Sequence, residues 1–319
     1  MGEGAFEDGR IIGIGNRLRL YGLMARIWHF YYALLPESPE ANMSPSKLIL
    51  ITGVSSGFGR ALAVEALAAG HRVVGTVRTA QAVQYFEALG PGRAFARMLD
   101  VTNTAAIAPL VDAIEKDIGP VSVLVNNAGY GHEGVLEESP LEEMRQQFEV
   151  NVFGAVAMMQ GVLPHMRARR EGHILNITSM GGFITMPGIA YYCGSKFALE
   201  GISEALGKEV AALGIRVTAV APGSFRTDWA GRSMVRSPRA IADYDALFDP
   251  IRQRRQEVSG KQLGDPRKAA RAMLAVIDSS VPPAHLLLGS DALKLVRAKL
   301  RALGEELDRW ETYTVSTDG

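Results

Sequence analysis

Four apolar residues, Leu48-Ile49-Leu50-Ile51, run straight into Thr52-Gly53-Val54-Ser55-Ser56-Gly57-Phe58-Gly59, and a helical apolar pattern follows over residues 60–69. A short Ile/Leu run of this length bounded by glycine reads as a buried strand. Glycine lets the chain turn tightly and brings backbone N–H groups close to a ligand. The helix that opens at the turn adds positive potential from its unpaired first amides. A glycine pattern in any other context marks only a structural turn. Between a strand and a helix it fits a dinucleotide pyrophosphate, which makes Gly53, Ser55, Ser56, Gly57, Phe58 and Gly59 candidate cofactor-binding residues.

The same alternation continues along the chain. Further strands are expected over residues 72–77, 94–99, 121–125, 173–177, 215–220 and 284–288. Helices are expected near residues 80–89, 104–118 and 140–169, around Tyr192, and over 292–303. Strands alternating with helices of ten or more residues imply right-handed crossovers and a parallel sheet covered on both faces. The expected fold is α/β, a Rossmann-type doubly wound parallel sheet in a single domain over residues 47–319. Residues 224–263 are polar, Arg-rich and weakly patterned, and sit where a substrate lid would be inserted.

Composition narrows the partners. Lys+Arg and Asp+Glu both number 34, so no basic surplus points to nucleic acid. Cys193 is the single cysteine, which excludes an internal disulfide framework and fits a reducing cytoplasm. The six histidines show no metal-ligand spacing, so no metal site is expected.

Residues 1–46 read as an N-terminal extension. Over residues 18–35, Arg19, Gly22, Arg26 and His29 gather on one side of a helix and Leu20, Met24, Ile27, Tyr31 and Leu34 on the other. Such an amphipathic helix suits a membrane surface or a protein surface, but its apolar run is too interrupted to span a bilayer. An acidic start and no small-residue cleavage site argue against a secretory signal. The alternative is a biological start at Met43, after a Pro/Ser-rich linker, which leaves the extension without function.

The end of the second strand bears on the cofactor. A carboxylate there would bond the adenosine ribose and repel a 2′-phosphate, whereas arginine accepts that phosphate. The sequence at this point is Val77-Arg78-Thr79, with no acidic residue, so Arg78 and Thr79 point to NADP(H). The competing reading of Arg78 is a solvated strand-end charge.

Tyr192 and Lys196 are one helical turn apart and share a face. A cation beside a phenol favours the phenolate and lowers its pKa, making it a usable proton donor and acceptor. Tyr191 has the uncharged Ser195 at the same spacing, so the spacing selects Tyr192.

Together with Ser179 upstream, these motifs resemble the short-chain dehydrogenase/reductase family over residues 47–303. They occur in order: the glycine turn, Asp100, residues 126–129, Asn151, Ser179, Tyr192 with Lys196, and Pro222-Gly223 with Thr227. The resemblance implies that Asp100 and Val101 flank the adenine and that Asn126, Ala128 and Gly129 line the adenosine ribose. Pro222, Gly223 and Thr227 would lie around the nicotinamide and phosphates. It implies a catalytic set of Asn151, Ser179, Tyr192 and Lys196, with Ser179 and Tyr192 binding substrate and Asn151 interrupting the long helix and holding a water that reaches Lys196. Lys196 would also bond the nicotinamide ribose.

The implied activity is hydride transfer between NADP(H) and a carbonyl or secondary alcohol. Tyr130, His132, Phe183, Met186, Pro187 and Phe225 fall near the expected pocket and suit a hydrophobic small-molecule substrate. A homodimer or homotetramer is expected through helices around residues 141–169 and 195–213. The alternative function is a non-catalytic NADP(H) sensor of the same fold.

Overall fold

Strand β1 (Leu48–Ile51) is buried along its whole length, and its side chains alternate between two apolar cores. Ile49 and Ile51 join Val73, Val77, Val123 and Val125, while Leu48 and Leu50 join Val74, Leu124 and Ile174 on the opposite face. Two apolar faces are what a strand needs when helices cover both sides. The computed structural model describes residues 46–319. The helix expected over residues 18–35 and the alternative start at Met43 lie outside the described residues.

On one side of β1 lie β2 (Arg72–Val77) and β3 (Ala94–Met98). On the other lie β4 (Val123–Asn126), β6 (Gly172–Ile177), β7 (Ile215–Pro222) and β9 (His285–Leu288), and all pairings are parallel. Ile49 pairs with Val73 on one side and Val123 on the other, so the strand order reverses beside β1. In open α/β sheets, ligands bind in the crevice beyond the carboxyl ends of the strands at that reversal.

Helices α1 (Gly57–Ala68) and α2 (Ala80–Glu87) bury Leu62 and Phe86 against the first core. The second is covered by α3 (Ile107–Asp117), α5 (Gly154–Arg169) and α6 (Ala190–Val210), through Val111, Met158 and Val210. Helix α8 (Pro266–Asp278) returns to the first face with Ala270 and Met273. The arrangement is the doubly wound sheet that the alternation predicts.

The helix over residues 140–169 is broken at Asn151, as the family resemblance implies, and two other segments differ from expectation. The stretch over residues 140–169 is α4 (Leu141–Phe148), a π turn over Glu149–Phe153, and then α5. Asn151 lies inside that π turn, a local widening common at functional sites. Residues 224–263 hold a helix, α7 (Asp245–Glu257), and a strand, β8 (Met234–Arg236), which pairs with β5 (Gly131–Glu133). Three-residue strands are too short to show a period, and α7 buries only Phe248, so neither announces itself in the sequence. The last helix, α9, runs over Ser290–Val315 rather than stopping near residue 303. Gly304 reads as a stop signal but sits inside the helix.

Candidate active site at the carboxyl edge of the sheet

The glycine turn after β1 is pinned from β4. Asn127 Nδ2 donates to the carbonyls of Thr52 and Gly53, both at 2.9 Å, and Thr52 Oγ1 accepts from the amides of Asn127 and Ala128, also at 2.9 Å. Gly53 N–H donates to Thr76 Oγ1 at 3.0 Å. A side chain at Gly59 would place its Cβ 2.4 Å from the Gly53 carbonyl oxygen, and Gly57 has φ of 58°. Glycine is therefore required by packing at one position and by conformation at the other.

Ser55 is exposed and Ser56 half-buried, and Ser56 gives α1 no side-chain cap. The first turn of α1 carries no acidic residue. Its first amides, left without intrahelical acceptors, suit an anion. Thr227 lies over this turn, its Cβ 3.9 Å from where a Gly57 side chain would begin. Phe58 packs edge-on against Phe225, ring centres 5.1 Å apart.

Arg78 emerges exposed from β2 and makes no hydrogen bond or ion pair among the described residues. Thr79 caps α2 by accepting from the Ala82 amide at 3.3 Å. Asp100 accepts from the amide and hydroxyl of Thr102 at 3.0 and 2.8 Å. Those two bonds hold its carboxyl below the usual range, with a smaller pull from Arg78. Val101 is buried where it meets Gly154.

Asn126 donates to Asn176 Oδ1 at 2.8 Å, while its own Oδ1 is buried without a partner among the described residues. Ala128 packs into the second core. Pro222 ends β7, and Gly223 donates to the Leu288 carbonyl at 2.8 Å and abuts Asp291. The turn at these two residues is thus shaped by β9 and the start of α9.

Ser179 and Tyr192 flank Gly181. A Cβ there would lie 3.3 Å from Ser179 Oγ and 3.4 Å from Tyr192 Cε1. Gly129 plays the same part for the other pair: its Cβ would lie 3.0 Å from Asn151 Oδ1 and 3.8 Å from Lys196 Nζ. Asn151 bonds the Tyr130 backbone in both directions at 3.1 Å and donates to Ser195 Oγ at 3.1 Å. Tyr191 donates its hydroxyl to the Ser139 carbonyl at 2.7 Å, which leaves Tyr192 as the phenol beside Ser179.

The electrostatics differ from the expected lowering of the phenol. Burial pushes Tyr192 up to about 12, and the polar groups of Ser179 and Trp229 only partly offset it. Burial also draws Lys196 down to about 8, opposed by the charge of Glu200. Loss of water penalises both charged forms. Lys196 Nζ donates to the Ile177 carbonyl at 2.8 Å.

Several contributors went unmarked in sequence reading. Trp229 packs against Tyr192 with ring centres 5.0 Å apart and planes tilted by 57°, and comes from the weakly patterned segment. Glu200, one turn beyond Lys196, is buried between Thr178 and His285, accepting from Thr178 Oγ1 and lying 2.9 Å from His285 Nδ1. Burial raises its carboxyl. Of the proposed pocket residues, Met186 packs near Tyr192 and Trp229, and Tyr130 is held beside Asn151. Phe183 lies edge-on to His285 and the Pro187 carbonyl accepts from Arg255. His132 is buried against Tyr191 and bonds Glu143 at 2.7 Å and Ser237, and Phe225 is buried in the first core against Phe58 of the glycine turn.

Among the described residues no group of three or more His, Cys, Asp or Glu is placed to hold a metal ion. No described helix is long and apolar enough to cross a membrane.

The chain is similar to a crystal structure of a short-chain dehydrogenase from Streptomyces avermitilis. The two share 40% identity with a TM-score of 0.81, over 86% of this chain and 99% of that one. A 3-ketodihydrosphingosine reductase from Bacteroides thetaiotaomicron is 37% identical over 76% of this chain and 88% of its own. An NADPH-dependent 3-dehydrocapnine reductase from Ornithobacterium rhinotracheale is 35% identical over 69% and 82%. The family model for short chain dehydrogenase matches residues 47–235, the span that carries the glycine turn, Ser179, Tyr192 and Lys196. On its sheet order, its carboxyl-edge site and this match, the chain belongs to the short-chain dehydrogenase family.

Proposed function

We propose that this protein transfers a hydride between NADP(H) and a carbonyl or secondary alcohol on a hydrophobic small molecule, with Tyr192 as general acid and base. The observation that carries the reading is the pairing of Ser179 and Tyr192 across Gly181, with Lys196 and Asn151 across Gly129, beside a glycine cradle that fits a pyrophosphate. Two relatives are named as reductases, one of a 3-keto compound and one NADPH-dependent, which agrees with ketone reduction.

A bound nicotinamide supplies or accepts the hydride at C4. The protein's own groups do the rest. Amides of the glycine turn and the α1 N-terminus hold the pyrophosphate, with Ser55, Ser56 and Thr227 beside them. Asp100 and Val101 flank the adenine; Asn126, Ala128 and Gly129 line its ribose, and Arg78 with Thr79 receives the 2′-phosphate. Ser179 Oγ donates to the substrate oxygen and fixes the carbonyl beside Tyr192. Tyr192 Oη passes its proton to that oxygen during reduction and takes it back during oxidation. Burial keeps Tyr192 protonated, so the proton is in place for the reducing direction, while the raised pKa makes its release depend on the polar and charged groups set around the phenol. Lys196 bonds the nicotinamide ribose and supplies charge at Tyr192. Trp229 and Met186 exclude water on the substrate side.

Subunit pairing through α4, α5 and α6 belongs to the same reading, since Leu141, Phe153 and Phe197 are exposed on these elements and their π turn. The test is to follow NADPH absorbance with purified protein and a panel of hydrophobic ketones. Oxidation of NADPH dependent on ketone is expected. Cofactor binding without turnover across the panel would support a sensor in place of an enzyme.

A further inference from the structure

Helix α9 extends far beyond the surface that anchors it. Ala292 and Val296 are its buried residues, and after Val296 every residue is exposed except the half-buried Gly304. The free part, residues 297–315, is about 28 Å long at 1.5 Å per residue. A helix of that length in water is marginal without packing. Gly304 and the β-branched Thr312, Thr314 and Val315 weaken it further.

Its sequence is nevertheless ordered for packing. Leu293, Val296, Leu300, Leu303, Leu307, Trp310 and Thr314 recur at alternating spacings of three and four residues, the heptad seam of a coiled coil. On the free part the seam is open: Leu300 is 57% exposed, Leu307 62% and Trp310 57%.

The charges identify the occupant. Residues 290–303 carry Lys294, Arg297, Lys299 and Arg301 against Asp291, a surplus of three positive charges. Residues 304–315 carry Glu305, Glu306, Asp308 and Glu311 against Arg309, a surplus of three negative. This distribution opposes the helix macrodipole, which favours acidic residues at the start and basic ones at the end. It therefore does not serve the lone helix. A parallel partner would set like halves together, and an anionic lipid surface would meet the acidic half. An antiparallel second copy sets each basic half on an acidic half.

We infer that α9 is an assembly surface on which a second copy of this chain pairs antiparallel through the heptad seam, about a two-fold axis near Gly304. Leu300 then meets Trp310 of the second copy, Leu303 meets its Leu307, and Arg297 lies beside its Glu311. Gly304, whose Cβ position has no neighbour within 4 Å among the described residues, marks where the two helices approach closest. The contact is isologous, so it closes on itself. It adds one two-fold contact to whatever other faces join.

Charge exchange in the full-length protein tests this. One variant has Glu305, Glu306, Asp308 and Glu311 all changed to Lys, making α9 basic throughout. The other has Lys294, Arg297, Lys299 and Arg301 all changed to Glu, making it acidic throughout. Each alone should lose half the wild-type mass by light scattering after size exclusion, and mixing the two should restore it. Far-UV circular dichroism and NADPH affinity report that each still folds. For geometry, Gly304→Cys should give a cross-linked dimer under mild oxidation, while Leu300→Cys, about 15 Å from its counterpart in this pairing, should not. Unchanged mass in both variants, or equal cross-linking at the two positions, overturns the inference. So does binding of anionic vesicles by wild type with no self-association. None of these readouts needs turnover, so the inference stands or falls apart from the proposed activity.

Discussion

Lys196 and Tyr192 stand with the ammonium nitrogen 5.8 Å from the centre of the phenol ring, both buried, and each displaced toward its neutral form. Lys196 falls from 10.5 to about 8, so its folded pKa is depressed. The folded state is then most favoured above pH 10.5, and that advantage is lost as pH falls through 8. Two and a half pKa units correspond to an effect on the order of 3 kcal/mol. Tyr192 is raised from 10.0 to about 12, so its contribution is intact below pH 10 and lost as pH rises toward 12. Wild-type stability in urea should therefore rise between pH 8 and 10. Lys196→Met should flatten that rise, and an unchanged slope would show that the lysine is hydrated.

The neighbouring tyrosines should separate chemistry from stability. Tyr192→Phe removes the proposed proton donor and should lower turnover by about 10²- to 10⁴-fold while leaving NADPH affinity nearly unchanged. Tyr191→Phe leaves the Ser139 carbonyl without its 2.7 Å partner and should destabilise the protein by roughly 1–3 kcal/mol, with turnover retained. Steady-state kinetics and urea midpoints on both variants check the pair. Equal kinetic losses would show that adjacency rather than role governs them.

Arg78 is exposed at the end of β2 with no protein partner among the described residues. A charge-assisted bond to a 2′-phosphate contributes roughly 1.5–3 kcal/mol, about 10- to 100-fold in affinity. Arg78→Ala should weaken NADPH by that factor and leave NADH nearly unaffected, measured by fluorescence titration. A parallel loss for both cofactors would make Arg78 a plain surface charge.

Glu133 is 1% exposed and holds three guanidinium groups, Arg236 at 3.1 Å, Arg252 at 3.5 Å and Arg255 at 3.2 Å. Arg252 and Arg255 belong to α7, so this carboxylate fastens that helix to β5 beside the site. Removing one partner of a buried pair leaves the others uncompensated, at about 3–5 kcal/mol. Glu133→Ala should speed amide hydrogen exchange across residues 245–257 before the central strands respond. Uniform protection with a lowered midpoint would place the effect in the whole fold.

The parts of the site legible in sequence are those whose chemistry is local. The glycine turn, Arg78 and the Tyr192–Lys196 spacing are each defined by neighbours a few residues away, and the sheet brings them to one edge. Trp229 could not be read this way: it reaches Tyr192 from a segment 37 positions on, placed by the β5–β8 pairing of three residues each. Asn127 carries no mark of a role in the sequence, yet it is the residue that staples the glycine turn from the end of β4. The phenol pKa is not legible from spacing, which reports a nearby cation but not the exclusion of water. Burial is a property of the assembled layers, and here it raises the phenol.

His173 lies inside β6, buried, with Nε2 3.0 Å from Thr218 Oγ1 and no partner for Nδ1 among the described residues. Burial, aided by the charges of Arg216 and Lys47, pushes it down to about 3. An imidazole depressed on folding stabilises the protein above its unfolded value of 6.5, and that stability is lost as pH falls toward 3. In this window the unfolded chain binds one proton more than the folded one. The slope should therefore approach about 1.4 kcal/mol per pH unit from this residue alone. His173→Phe removes the titration and should flatten the acid limb between pH 6 and 4, at some cost in packing at neutral pH. Urea midpoints of both proteins across that range decide it, and parallel acid limbs would mean that the imidazole takes up its proton without unfolding.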